Sequence, residues 1–174
     1  NCAEVIESAF AAVRKTADEL GAKIQATLVS PVPRTLRGSA RHIHQLITLL
    51  STSLPELGHT ENIDLQVSFE EKDNGRAEML LSLLLASTDS PDILHLRLKT
   101  LAEASASLQT SRSAGPELAL KSGWQLALAM QGKPSMQITA DKNVRIQISL
   151  PLSGDSSLLE NEIERPANSN ASSL

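Results

Sequence analysis

Two apolar runs joined by a tight-turn sequence constrain the fold of this chain more than any other feature. Residues 63–69 alternate apolar and polar side chains, which is the pattern of a strand with one buried face. The turn sequence Asp73-Asn74-Gly75 follows, and Asn and Gly tolerate the positive φ angles of hairpin turns. Residues 77–86 are then apolar on both faces. We therefore predict a hairpin whose second strand lies in the middle of a sheet.

Helices and further strands flank this hairpin. Apolar residues spaced three and four apart predict helices over residues 3–20, 39–57 and 116–131. Residues 92–109 also look helical, but they become rich in Ser and Ala and lose this period. Alternating patterns predict strands over residues 23–29, 135–140 and 144–150. Pro55 predicts a break or a loosened last turn in the second helix. The order of elements predicts an α/β (α+β) two-layer sandwich, in which helices pack on one face of a mainly antiparallel mixed sheet.

The chain divides into one domain and a tail. The helix and strand patterns end near residue 152, and residues 153–174 are rich in Ser, Asn, Glu and Pro. We interpret 1–152 as the domain and 153–174 as a flexible tail or an interdomain linker. Because residue 1 is Asn rather than Met, we expect the chain to be part of a longer protein.

Composition excludes several classes of function. The balance of 16 Lys and Arg against 20 Asp and Glu gives a net charge of −4 without a basic cluster, so no nucleic-acid ligand is expected. An aromatic content of 2% also removes the surfaces on which bases stack. Cys2 is the single cysteine, which excludes an intrachain disulfide and a thiolate metal site. No apolar run reaches the roughly 18–20 residues that span a bilayer, so we expect no membrane contact. The single cysteine fits a reducing compartment, and we expect a cytoplasmic domain.

The four histidines give no clear metal site. His42 and His44 lie two positions apart on a predicted helix, where their side chains point in nearly opposite directions and cannot share one ion. We interpret both as solvated surface residues. His59 and His95 have no partner that the sequence can name.

A polar cluster follows the central predicted strand. Asp89 and Asp92 stand here with Ser87, Thr88 and Ser90. This pattern is typical either of a ligand-binding loop or of a turn with helix-capping side chains, and the residues alone favour the turn.

The familiar sequence motifs of catalysis and phosphate binding do not occur. No serine stands in a Gly-x-Ser-x-Gly nucleophile elbow, and no glycine-rich phosphate loop is present. Gly115-Pro116-Glu117 opens a helix as a phosphate loop does, but a carboxylate at Glu117 repels phosphate. Helix initiation explains the three residues, with Pro in the first turn and an acid near the positive end of the dipole.

The first of three stretches that resemble a known family is residues 38–54. The sequence from Gly38-Ser39-Ala40 to Leu54 is similar to the N-box helix in the ATP-binding domain of sensor histidine kinases, the GHKL or Bergerat fold. That family has two Asn four residues apart, and these positions hold Leu49 and Ser53 here. In the family the second Asn helps to bind Mg²⁺, so the resemblance implies a weakened metal site, since a serine hydroxyl is a poorer ligand for a hard cation.

The second stretch, residues 83–91, resembles the strand that leads into the family's Asp-Thr-Gly-x-Gly box. Thr88 fits this pattern. The adenine-binding Asp of the family falls on Ser87, and its glycines fall on Asp89 and Pro91.

The third stretch begins at residues 115–120 and runs to the end of the domain. The family has Gly-Thr-Gly-Leu-Gly-Leu, a helix, Met-Gly-Gly and a last strand that ends in Leu-Pro. This chain has Gly-Pro-Glu-Leu-Ala-Leu, a predicted helix, Met130-Gln131-Gly132 and a last strand that ends in Leu150-Pro151. Glu117 and Ala119 replace two of the glycines.

The resemblance covers about residues 3–152 and implies that the hydrophobic skeleton is kept while the nucleotide contacts are lost. Hydrogen bonds to charged groups are worth about 1.5–3 kcal/mol each, so losing several takes a micromolar affinity beyond millimolar. The resulting prediction is a degenerate nucleotide pocket formed by Leu49, Ser53, Ser87, Thr88, Asp89, Gly115, Glu117 and Ala119.

Three functions remain open from the sequence. In the first, the domain needs no cofactor and acts as an interaction or relay module for other domains of its own chain or for a signalling partner. In the second, Asp89 or Asp92 replaces the adenine anchor, and the domain is a working kinase domain that uses ATP and Mg²⁺. In the third, the chain is an unrelated α/β binding domain. A homodimer through residues 3–20 or 102–114 stays open, as does the order of residues 100–114, where the family has its mobile lid.

Overall fold

The computed structural model describes residues 2–33, 40–60, 62–73, 76–103 and 115–153. The helices are α1 (Cys2–Leu20), α2 (Ala40–Leu57), α3 (Pro91–Glu103) and α4 (Pro116–Ala129). The strands are β1 (Lys23–Leu28), β2 (Asn62–Glu71), β3 (Arg76–Ala86), β4 (Lys133–Ile138) and β5 (Val144–Ser153). Ser39, the expected first residue of the second helix, and residues 104–109 of the third predicted helix lie outside the described residues, as do 104–114 of the lid segment and 154–174 of the tail.

Within the described residues, five strands form one mixed sheet in the order β1-β2-β3-β5-β4. The β1–β2 pair is parallel, and the other pairs are antiparallel. The parallel pair follows from the chain path, because parallel neighbours need a long crossover and α2 supplies it between β1 and β2. β3 pairs with β2 on one side and β5 on the other, which confirms the prediction that the doubly apolar strand is central.

The helices form one layer over one face of this sheet. Helix α1 packs on α2, α2 on α4, and α4 on α3. Along β3, every second residue from Ala77 to Leu85 is buried, and the intervening residues are more exposed. This alternation is that of a sheet with one covered face, and it confirms the predicted two-layer α+β sandwich.

Helix α2 continues through Pro55 to Leu57, so the predicted break does not occur. A proline in a helix removes the N–H that would donate to the carbonyl four residues earlier, here that of Ser51. The helix nevertheless continues for two more residues. The N–H of Gly58 still donates to the carbonyl of Leu54 at 2.7 Å. Pro55 itself is buried.

No helix in the described part of the chain is long and apolar enough to cross a membrane.

Candidate functional site

The two α2 residues of the predicted pocket lie toward α4. Leu49 is half-buried, and its Cβ lies 3.5 Å from the position that a Cβ on Gly123 of α4 would take. Ser53 is 1% exposed, and its hydroxyl donates to the carbonyl of Leu50 in the same helix at 2.9 Å. A side chain this buried offers little to a hydrated cation.

Ser87 stands where β3 ends and is tied to the end of α2. Its hydroxyl donates to the carbonyl of Gly58 at 2.7 Å and accepts the backbone N–H of Asp89 at 3.1 Å. The first bond joins the second stretch of the resemblance to the residue that follows α2. Thr88, the next residue, is exposed.

Asp89 is the centre of an ion-pair cluster. Its Oδ2 accepts a hydrogen bond from Arg97 Nη2 at 3.0 Å and lies 2.9 Å from His59 Nδ1. The same Arg97 nitrogen donates to the carbonyl of Leu57, the last residue of α2, at 2.8 Å. The hydrogen bond from Arg97, with a smaller contribution from His59, holds the pKa of the Asp89 carboxyl below its ordinary value.

The start of α4 carries the remaining predicted residues. Gly115 precedes the helix with a φ of 62°, a left-handed conformation that favours glycine. Glu117 is exposed in the first turn, where a carboxylate stabilises the positive end of the helix dipole. Ala119 is half-buried, and its N–H donates to the carbonyl of Gly115 at 3.0 Å.

Helix α2 links the parts of the predicted pocket. Helix α2 packs on α4, and Ser87 bonds to the end of α2. Among the described residues, no hydrogen bond or ion pair joins Ser87 to Glu117. Asp92 is exposed in the first turn of α3.

The histidines differ from the sequence interpretation in one respect. His42 is exposed and His44 half-buried. His59 and His95, for which the sequence names no partner, both have one: His59 bonds to Asp89, and His95 Nε2 lies 3.3 Å from the carbonyl of Met136 on β4. Among the described residues, no group of three or more His, Cys, Asp or Glu side chains forms a metal site.

The amino-acid sequence alone does not reveal Arg97 or the role of His59. His59 lies 30 residues before Asp89 and Arg97 lies 8 residues after it, so no short sequence motif contains the cluster. The sequence does place Arg97 about two helical turns after Asp89. At that spacing its side chain lies on the side of α3 that faces the preceding loop.

Comparison with known proteins gives a fold but not a family. No family model and no curated protein matches the chain. Solved structures do match. A mycobacterial sensor histidine kinase, MprB, aligns with a TM-score of 0.56 and 17% identity over 87% of this chain and 96% of its own. The catalytic domain of histidine kinase ThkA, in a nucleotide-free form, aligns with a TM-score of 0.54 and 14% identity over 87% and 92%.

The full-length histidine kinase ShkA in complex with AMPPNP aligns with a TM-score of 0.58 and 18% identity. The match covers 88% of this chain but 30% of the ShkA chain, so this chain spans less than a third of that kinase. At these identities the likeness establishes the fold. The chain has the histidine kinase-like ATPase fold, which confirms the fold implied by the sequence resemblance.

Proposed function

We propose that this domain is a histidine kinase-type ATPase domain that does not bind ATP and Mg²⁺ productively, and that it acts as an interaction or relay module in a longer cytoplasmic signalling protein. The proposal takes residues 1–152 as the domain and 153–174 as a tail or linker. It rests on two features together. The chain has the apolar core of the fold, and its side chains differ at the positions where the family contacts the nucleotide.

The observation that carries the proposal is the state of Ser87. The resemblance assigns this position to the carboxylate that binds adenine, and such a buried, charge-assisted hydrogen bond strongly favours the matching ligand. Ser87 has no carboxylate, and its hydroxyl already bonds to the Gly58 carbonyl and the Asp89 N–H. A purine would have to displace these bonds, and the hydroxyl would still bind it more weakly than a carboxylate does.

The neighbouring positions support the same conclusion. Ser53, at the position of the Mg²⁺-binding Asn, is buried with its hydroxyl turned to its own helix. Glu117 places a negative charge in the first turn of α4, where the family has a glycine next to phosphate. The residues present therefore do not fit the charge of a magnesium-bound triphosphate.

The Asp89 cluster argues against a working kinase with a shifted adenine anchor. Asp89 Oδ2 is held by both Arg97 and His59. That oxygen is already used by both partners, so an adenine amino group would have to bind the other oxygen of a carboxylate whose orientation Arg97 and His59 set. Asp92 remains exposed, so it is the residue to test for that alternative.

Phosphate transfer by the full-length protein tests the proposal. The protein is incubated with γ-labelled ATP and Mg²⁺, beside ShkA as a kinase of the same fold. We expect no label on the parent chain, nor on its Asp89→Ala and Asp92→Ala variants. Label on the parent chain that the Asp92→Ala variant loses would overturn the proposal and identify the shifted anchor.

A further inference from the structure

Three elements meet at one corner of the molecule, beside the end of the central strand. The carboxyl end of α2 contributes residues 57–60, the loop after β3 contributes residues 87–89, and α3 contributes Arg97. We call these residues the Asp89 corner. Its buried members are Gly58 and Thr60. Thr60 is 4% exposed, and its hydroxyl bonds to the backbone carbonyls of Asn62 and Ala86.

The hydrogen bonds of the corner cross from one element to another. Ser87 bonds the loop to α2 through the carbonyl of Gly58. Asp89 bonds the loop to α2 through His59 and to α3 through Arg97. Arg97 also connects α3 directly to α2, because it donates to the carbonyl of Leu57. A positive group at a helix carboxyl end is favourable, so Arg97 also compensates the dipole of α2.

His59 stands where the chain leaves α2. Its φ is 45°, the left-handed conformation with which helices commonly end, and the N–H of Thr60 donates to the carbonyl of Pro55 at 3.1 Å. The helix end therefore places the imidazole of His59 beside the loop after β3. Here its backbone N–H donates to Glu56 and its ring bonds to Asp89.

We propose that Asp89, with Arg97 and His59, is a clamp that fixes the end of α2, the loop after β3 and α3 in one arrangement without any ligand. A single exposed ion pair contributes little to stability. In this clamp, however, one carboxylate oxygen serves two partners and one guanidinium nitrogen also binds a helix end, so loss of either group frees more than one element. Helices α2 and α3 therefore move as one unit. This goes beyond the proposed function and does not depend on it.

Hydrogen exchange of the full chain without nucleotide tests the clamp. The reporters are the amides of Gly58, Thr60 and Asp89, which donate to Leu54, Pro55 and Ser87. We expect Asp89→Ala to raise their exchange rates by about fivefold or more. The amide of Gly132, which donates to Ala127 in another part of the fold, should change by less than about twofold.

A matched control and a double variant separate a clamp from general destabilisation. Asp92→Ala removes an exposed carboxylate three residues further along, and we expect it to leave the three reporters unchanged. Arg97→Gln should act as Asp89→Ala does, and the double variant should exchange no faster than the faster single variant. If Asp89→Ala does not fold, the Asp89→Asn variant serves in its place.

Unchanged exchange at the three amides in Asp89→Ala would overturn the clamp. So would a double variant whose effect is the product of the two single effects, because the groups would then act independently. Both results are obtained without nucleotide, so they leave the proposed function untouched. Conversely, tight ATP binding would overturn that function and leave the clamp standing.

Discussion

Gly132 lies directly against Leu150, at the point where α4 gives way to β4. A Cβ added to Gly132 would come within 2.6 Å of Leu150 Cδ2 and 2.8 Å of the Ala127 carbonyl oxygen. The backbone after α4 therefore approaches β5 more closely than any side chain at this position allows. This contact packs the end of α4 against the last strand.

We predict that Gly132→Ala lowers the free energy of unfolding by about 2–3 kcal/mol, because the added methyl group overpacks a buried site whose neighbours include backbone. Urea unfolding followed by circular dichroism measures the loss. Gly21→Ala is the control: Gly21 has a φ of 70° but nothing within 4 Å of an added Cβ, so its cost is backbone strain alone, about 1 kcal/mol. Equal losses in the two variants would contradict the packing explanation.

Gln131 is a position where a substitution should raise the stability of the domain. It follows α4 with a φ of 62°, where glycine is the usual residue. We predict that Gln131→Gly stabilises the domain by about 0.5–1 kcal/mol, since it relieves the left-handed strain and glycine's greater unfolded-state entropy offsets part of the gain. Thermal unfolding should show a higher Tm for Gln131→Gly and not for Gln131→Ala. A lower Tm in the glycine variant would show that the Gln131 side chain is needed at this turn.

Two buried serines on α2 make a matched pair. Ser51 is fully buried, and its hydroxyl has no hydrogen-bond partner within the described part of the chain, whereas the Ser53 hydroxyl donates to Leu50. An unpaired buried hydroxyl costs about 1–3 kcal/mol. We predict that Ser51→Ala raises the free energy of unfolding by about 1 kcal/mol, while Ser53→Ala changes it by less than about half of that, because the lost bond and the gained helix propensity nearly cancel. The account fails if Ser51→Ala is the more destabilising of the two.

The Asp89 corner predicts how stability depends on pH. The carboxyl has an ordinary pKa of 3.8, and its pKa is lower in the folded state because Arg97, and then His59, bond to the ionised form. The ionised group therefore stabilises the fold fully above about pH 4, and this contribution is lost as the pH falls through the lower, folded-state pKa.

Urea unfolding of the parent chain and of Asp89→Asn at a series of pH values measures this effect. We expect the parent chain to be the more stable at pH 7, and the difference to shrink below about pH 4, where the protonated Asp89 carries the same charge as Asn. The carboxyl of Glu78, whose pKa is lowered by hydrogen bonding from Ser149 and by Lys72, titrates equally in both proteins and cancels. A difference that stays constant down to pH 3 would contradict the ionic role of Asp89.

The sequence is sufficient for most of the fold because each element carries its own period. The alternation in residues 63–69 and the doubly apolar run after it place β2 and β3 correctly, down to the central position of β3. Pro55 predicts a break or a loosened last turn, and α2 continues through it for two more residues, so the break does not occur. The parallel pairing of β1 with β2 depends on the path of α2 across the sheet, which no local pattern records.

The candidate site is less accessible to sequence reasoning. The substitutions at Leu49, Ser53, Ser87 and Glu117 are visible once the resemblance is drawn, but what each side chain does instead is a property of the tertiary structure. Asp89 illustrates the difference. In the sequence it is one polar residue of a turn, and in the structure it binds a histidine 30 residues earlier and an arginine 8 residues later.

Calorimetric titration of the full chain with ATP and Mg²⁺ tests most directly whether the nucleotide contacts have been lost while the fold is kept. ShkA, which was crystallised with AMPPNP, serves as the positive control under the same conditions. We predict no saturable heat up to millimolar ATP, because a deficit of several kcal/mol moves a micromolar Kd beyond that range. A micromolar Kd for this chain would contradict the account.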